Sequence, residues 1–210
     1  MSSEDNYKYD ETCIVFDWDD TLLSSSWLAN NNLTIETVIP SEYSEQLREL
    51  EKSVSLVLER ALVCGRVIII TNSDFGWVEL SCRKFIPSIL PLLYRIKIIS
   101  ARSIYQLMFP EPVDWKVHAF SKEVALVYSD KESTIQKNII SFGDSAQERI
   151  ALFKVCHELN CSYPKSIKFI ERPSLDQLKK QLNLVASCFF EISNKKESFD
   201  LMLTLDIIQE

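Results

Sequence analysis

Two kinds of segment alternate along the chain. Short, largely apolar runs rich in β-branched residues occur at 12–16, 67–70, 96–99, 139–140 with their flanks, and 167–170, with a single lysine in each of the third and fifth. Runs of this kind, bounded by polar clusters, predict strands buried on both faces. Between them lie longer stretches with apolar residues at helical spacing. After Pro40, Tyr43, Leu47, Leu50, Val54, Val57 and Ala61 form one stripe. Ser41 suits its N-cap, Glu42 and Glu45 suit its first turn, and Gly65 suits its C′ position. Further helices are expected at 76–86, with another turn or two to Tyr94, and at 101–109, 114–127 and 145–159. Ser174 and Gln177 have capping-box spacing for a last helix after Pro173.

This alternation predicts one α/β domain over residues 11–210: a Rossmann-like, doubly wound and mostly parallel sheet of about five strands flanked by helices. Residues 1–10 read as a loose arm. Residues 22–40 are polar, with Asn30-Asn31-Asn32 and a short alternation at Leu33, Ile35 and Thr37. They predict a loop with a small hairpin flap. In the tail of the 174–210 segment, Phe199, Leu201, Leu203, Leu205 and Ile207 alternate like a strand, but a helix would also bury much of that set.

Composition narrows the function classes. The formal net charge of −7 argues against broad binding to nucleic acid or anionic membrane, though a local basic pocket stays open. The six cysteines form no CxxC pair, and several lie in apolar elements. Reduced thiols in a cytoplasmic or nuclear protein are therefore expected. Met1 to Asp10 carries no signal-peptide core, and no apolar run approaches a membrane span. No membrane partner is expected, and an oligomer is left open.

The strand at 12–16 ends on Asp17-Trp18-Asp19-Asp20-Thr21. Crowded carboxylates at the end of a buried strand repel one another and lose water. A cation, or a chemical role, would compensate. In a doubly wound sheet the ligand site lies beyond the carboxyl ends of the strands. Three strands end there in Asp17, Thr71 and Asp144, far apart in sequence.

Asp17-x-Asp19-x-Thr21 after the first strand, Thr71 after the second, Lys116 ahead of the fourth, and Gly143-Asp144 after it resemble, in order, the four motifs of the haloacid dehalogenase superfamily. The flanking stretches, including Thr71-Asn72 with Gly76-Trp77 and Trp115-Lys116, are also similar to a group of protist members of that superfamily with no known substrate. The resemblance covers roughly residues 12–150. It implies a Mg²⁺-dependent phosphomonoester hydrolase, with Asp17 as the nucleophile that becomes an aspartyl-phosphate. Asp19 would protonate the leaving oxygen and then activate water. Thr71 would donate to the phosphoryl oxygens, with backbone N–H groups such as those of Trp18 and Asn72, and Lys116 would hold Asp17 and the phosphoryl charge together. The metal would take Asp17, the Asp19 carbonyl and Asp144. Glu148 stands where members often have a second aspartate, so it holds either a metal-bound water or the ion itself. Arg102, just past the third strand, is a candidate for a second anionic group. Thr21 is expected to stabilise the turn, and Asp20 to face solvent or hold that turn.

Plainer roles exist for each residue taken singly. Asp144 also suits an N-cap, Thr71 to Asp74 an ordinary helix start, and Lys116 a solvated helix face. Lys122 lies deeper in the helix, and Lys131 and Lys137 fall too near the fourth strand for the lysine role. His118 and His157 read as structural or exposed. Trp18, Trp27, Trp77 and Trp115 flank the motifs, either as loops packed on the sheet edge, the favoured role, or as a rim for a flat or partly apolar substrate group. Neither segment between motifs has room for a large cap. By resemblance, an uncapped site suits a large phosphorylated substrate such as a phosphoprotein, or a partner subunit as lid. A weakly active binding or scaffold protein and a phosphotransferase remain alternatives.

Overall fold

The computed structural model describes residues 9–130 and 135–204. Six parallel strands form one sheet: β1 (Thr12–Phe16), β2 (Arg66–Thr71), β3 (Lys97–Ser100), β4 (Asn138–Gly143), β5 (Tyr163–Lys168) and β6 (Phe199–Met202). Their order is β3-β2-β1-β4-β5-β6, with β1 central. The connections carry α1 (Ser25–Asn30), α2 (Ser41–Cys64), α3 (Trp77–Phe85), α4 (Leu90–Leu93), α5 (Ala101–Tyr105), α6 (Pro112–Val127), α7 (Ala146–Glu158) and α8 (Leu175–Asn194).

Side chains one apart on a strand point to opposite faces, and each face has its own core. Ile14, Phe16, Ile69, Ile140 and Phe142 pack with α2, α3 and α8. Cys13, Val15, Ile68, Ile70 and Ile139 pack with α5, α6 and α7. The sheet is thus covered on both sides, as the apolar runs implied. Among the described residues, no helix is long and apolar enough to cross a membrane. All six cysteines are free thiols.

Several expectations change. The hairpin flap is absent. The segment forms α1, which closes on Asn32 at φ 54°, with the Leu33 N–H donating to Leu28 O at 2.9 Å. Asparagine tolerates that left-handed conformation, so the Asn run ends a helix. Leu33 and Ile35 pack into the core instead.

β5 begins four residues before the expected start of that strand. Its register with β4, Asn138↔Tyr163 to Gly143↔Lys168, overrides the local apolar pattern. Pro164 precedes the first β5–β6 pair, Lys165↔Phe199, so it lies where β5 is still an edge, the place a sheet tolerates proline. The tail's alternation does make a strand, β6, while Leu205 and Ile207 fall outside the described residues. So do residues 1–8 of the expected arm, and Lys131; residues Tyr9–Glu11 form a 3-10 turn.

Two caps also differ. Ser41 is the first residue of α2, with no side-chain cap. Gly65 has extended backbone at φ 179°, not the left-handed C′ conformation. Its role is close approach, because a Cβ there would sit 2.5 Å from the Thr12 carbonyl oxygen. The Ser174–Gln177 capping box forms as expected, with both reciprocal bonds present.

Candidate functional site

The strand order reverses at β1, which has β2 on one side and β4 on the other. Such a switch point opens a crevice at the carboxyl ends of the strands. Phe16 pairs with Phe142, and the Asp17 N–H donates to Phe142 O at 2.9 Å, so Asp17 leaves the sheet beside Gly143 and Asp144. β2 runs two residues past its pairing with Phe16 and delivers Thr71 to the same edge.

Lys116 reaches this edge from the first turns of α6. Its helix is anchored by Val117, Phe120 and Val124 in the second core. The side chain is 1 % exposed, and its Nζ donates to Asp17 Oδ1 at 2.7 Å and to Glu148 Oε1 at 2.5 Å. The solvated-helix role is thereby excluded. Glu148 Oε2 accepts from the Ser145 N–H at 3.1 Å and from its hydroxyl at 2.6 Å. Both Glu148 oxygens are therefore held by protein donors. Gly143 makes room for this, since a Cβ there would lie 2.3 Å from Glu148 Cγ.

Ser145, not Asp144, caps α7. That removes the plainer role for Asp144. Carboxylate oxygens of Asp17, Asp144 and Glu148 lie within 4.8 Å of one another. Asp17 Oδ2 and the Asp144 carboxylate have no side-chain hydrogen-bond partner among the described residues. Three carboxylates facing one ammonium leave excess negative charge in a partly buried site, which suits a divalent cation. Asp17 and Asp144 are the carboxylates still open to one.

Electrostatics follow from burial and this charge imbalance. Burial pushes Asp17 well above the usual carboxylate range, against the pull of Lys116. Burial also resists ionisation of Glu148, but Lys116 and the Ser145 hydrogen bonds outweigh it and hold that carboxyl low. For Lys116, burial disfavours the charge, and Asp17 and Glu148 overcome it, so the ammonium is retained. Asp144 is pushed up to about 7, first by burial, then by Glu148 and Asp20.

A pH effect on stability follows. Asp144 ordinarily titrates at 3.8 and in the fold at about 7, so the folded chain binds the extra proton between those values. Stability from this group falls as pH rises through that window and is level above it. Thermal melts of the protein without added metal should show that fall, and Asp144→Asn should reduce it. Parallel profiles for parent and variant would contradict it.

Asp19 is held differently. Oδ1 accepts from the Ser25 hydroxyl at 2.7 Å and the Trp77 indole at 2.9 Å. Oδ2 accepts from the Ser73 hydroxyl at 2.6 Å and from Thr71 at 3.3 Å. Ser25, Ser73 and Trp77 had no such role in the sequence. Ser73 sits in the polar cluster just after β2, which was a usable signal; Ser25 had none. The Asp19 carboxylate lies outside the three-carboxylate cluster.

Other expected residues resolve individually. The Trp18 indole is fully buried and donates to Ser81 at 3.0 Å, so its side chain is core and only its backbone is available to a ligand. Trp115 donates to Phe109 O at 2.7 Å, and Trp27 meets Tyr43 edge-on, which agrees with loop packing. Asn72 bridges the first turns of α6 and α7 through Pro112 O at 3.1 Å and Gln147 Oε1 at 2.7 Å. Arg102 faces Asp74 at 3.6 Å and Gln106 at 3.2 Å on the β3 side, and no contact joins it to the carboxylate cluster. Asp20 is not turned to solvent. It sits at φ 55° and accepts from the Ser26 N–H at 2.9 Å, holding the turn. The Thr21 hydroxyl is buried without a partner, so Thr21 supports the turn only through its backbone N–H. His118 is structural, stacked on Phe109 at 4.0 Å.

Comparison with protein-family models, curated proteins and solved structures found no match. Fold and site together define a Rossmann-like α/β protein with a possible acidic metal-binding cluster at its switch point.

Proposed function

We propose that this chain is a Mg²⁺-dependent phosphomonoester hydrolase of the haloacid dehalogenase type, working through an aspartyl-phosphate on Asp17. The observation that carries this is the buried Lys116, bonded to Asp17 and Glu148, with Asp144 open beside them. A lysine so enclosed between a strand-end carboxylate and a second acid orients the first while leaving its other oxygen free.

In this scheme Asp17 Oδ2 attacks phosphorus, the ester P–O bond breaks, and Asp19 gives the leaving oxygen its proton. Asp19 then takes a proton from water. That water attacks phosphorus, the bond to Asp17 breaks, and inorganic phosphate leaves. The Ser73 and Thr71 hydroxyls that hold Asp19 Oδ2 can rotate and accept as well as donate, so they accommodate both protonation states. Lys116 holds Asp17 in line and offsets charge on the transferred group. Asp17, the Asp19 carbonyl and Asp144 would hold the Mg²⁺, with Glu148 positioning Lys116. When bound, the ion supplies charge compensation between carboxylate and phosphate.

Between Asp17 and Thr71 the chain builds only α1 and α2, so no cap domain covers the crevice. A site of this kind admits water and large substrates.

The test is release of inorganic phosphate from a panel of phosphate monoesters with Mg²⁺ present. The expected result is metal-dependent release, lost on chelation and restored by Mg²⁺. Release that survives chelation would contradict the metal assignment, and none with any substrate would contradict the hydrolase.

A further inference from the structure

A cavity of about 390 Å³ is walled by Leu28, Leu33, Ile35, Trp77 and Phe85. Leu28, Leu33 and Phe85 are buried core residues, so this wall is fixed by packing. Two lining residues connect it to the site. Ser25 and Trp77 both line the cavity, and both donate to Asp19 Oδ1. The cavity is therefore walled in part by two residues that hold the carboxylate that would protonate a leaving oxygen. Glu36 is its one charged lining residue among the described residues, so nothing there recruits an anion.

We propose that this cavity holds the apolar organic group of a phosphate monoester whose phosphoryl group lies on Asp17, making the substrate an alkyl or aryl phosphate. This rests on the phosphatase reading of Asp17. The argument for the occupant is position and chemistry together. A group esterified to the phosphate must leave from the side where Asp19 waits, and the residues that hold Asp19 there, Ser25 and Trp77, belong to a largely apolar wall with no cationic group. Its size suits more than one ring, since a cavity of roughly 150 Å³ already takes benzene. The short helix α1 and the turn after it, at Leu33 to Glu36, form its outer wall, in the segment where a hairpin was expected. Trp77 then has two functions. Its indole N–H orients Asp19, and its ring is part of the binding wall.

The experiment compares hexylphosphonate with methylphosphonate by calorimetry, with Mg²⁺ present. Neither is hydrolysed, so binding is read without turnover. The parent should bind hexylphosphonate at least about tenfold more tightly, because buried methylenes add affinity each time. Ala29→Trp fills the cavity from an exposed lining position of α1, so the core is left alone. It should bring the ratio to within about threefold. Ile35→Asn, which makes the wall polar, should reduce the ratio too and serves if the first variant melts early by circular dichroism. Equal affinities in the parent, or a chain-length preference unchanged in both variants, would overturn the assignment. Phosphate release from hexyl phosphate is scored separately. If hexylphosphonate is preferred but hexyl phosphate is not cleaved, the cavity assignment stands and the hydrolase fails. If esters are cleaved without regard to chain length, the hydrolase stands and the cavity assignment fails.

Discussion

Asp17→Asn should abolish phosphate release, with a fall in kcat of at least about a thousandfold and a folded protein. The amide keeps the size of the side chain and can still accept from Lys116 through its oxygen. It lacks the negative charge and the nucleophilic oxygen that attack on phosphorus requires. Removing one carboxylate from a cluster of three also relieves repulsion, so the variant should melt no lower than the metal-free parent. This pairing of lost activity with retained stability separates a chemical role from a structural one. A variant that melts much earlier would show that Asp17 is chiefly a structural partner of Lys116. Residual turnover close to that of the parent would remove Asp17 from the chemistry.

Lys116→Met should have the largest effect on stability. The ammonium is 1 % exposed and is bonded to two buried carboxylates. Methionine fits a similar volume but leaves Asp17 and Glu148 facing each other without a cation. Breaking a buried ion pair by removing one partner costs about 3–5 kcal/mol. For a chain of this size that lowers the melting temperature by roughly 10 °C. The loss should shrink when Glu148→Gln is added, because one of the stranded charges is then gone. It should also shrink with Mg²⁺ bound, and melts of the two variants with and without the ion measure both. Additive losses in the double variant would contradict the coupling. Activity should be lost in Lys116→Met at any temperature, since Asp17 would no longer be oriented.

The core of this arrangement was legible in the sequence, and the reason is local. β1 and β2 carry continuous apolar runs that stop at polar residues, and the strand ends carry the candidate site: Asp17 after β1, Thr71 at the end of β2, Asp144 after β4. A parallel α/β sheet brings such ends to one edge, so residues distant in sequence could be placed together without contacts. Lys116 was found by its place at the start of a helix before β4, but its burial between two acids was not visible, because burial depends on how α6 meets α7. Glu148 shows the limit most clearly. Its spacing from Asp144 suggested a role at a metal, and it does lie with Asp17 and Asp144 in the carboxylate cluster, but its bonds to Ser145 and Lys116, set by the Ser145 cap and the absent side chain at Gly143, had no signal in the sequence.

The misplaced elements fail for reasons of tertiary context. The alternation at Leu33 and Ile35 has strand periodicity, but both side chains pack into the same core beside α1 instead of lying on opposite faces of a strand. β5 took its register from β4 rather than from its most apolar residues. Arg102, chosen for its position after a strand, follows the outer strand β3, whose end lies on the far side of β2 from Asp17 and Asp144, and its expected role toward a second anionic group stays a proposal. The holders of Asp19 could not be assembled from spacing, since Ser25, Ser73 and Trp77 come from three different segments. The aromatic residues near the motifs proved to be mostly loop packing, with Trp77 as the exception through its bond to Asp19.

The central claim is that Asp17 accepts a phosphoryl group, and a beryllium fluoride adduct observed by ¹⁹F nuclear magnetic resonance with Mg²⁺ present tests it most directly. Beryllium fluoride stands in for the phosphoryl group on a carboxylate oxygen, so substrate identity does not enter. The account predicts protein-bound fluoride signals for the parent and none for Asp17→Asn. No bound signal in the parent, or the same signals in the variant, would contradict it.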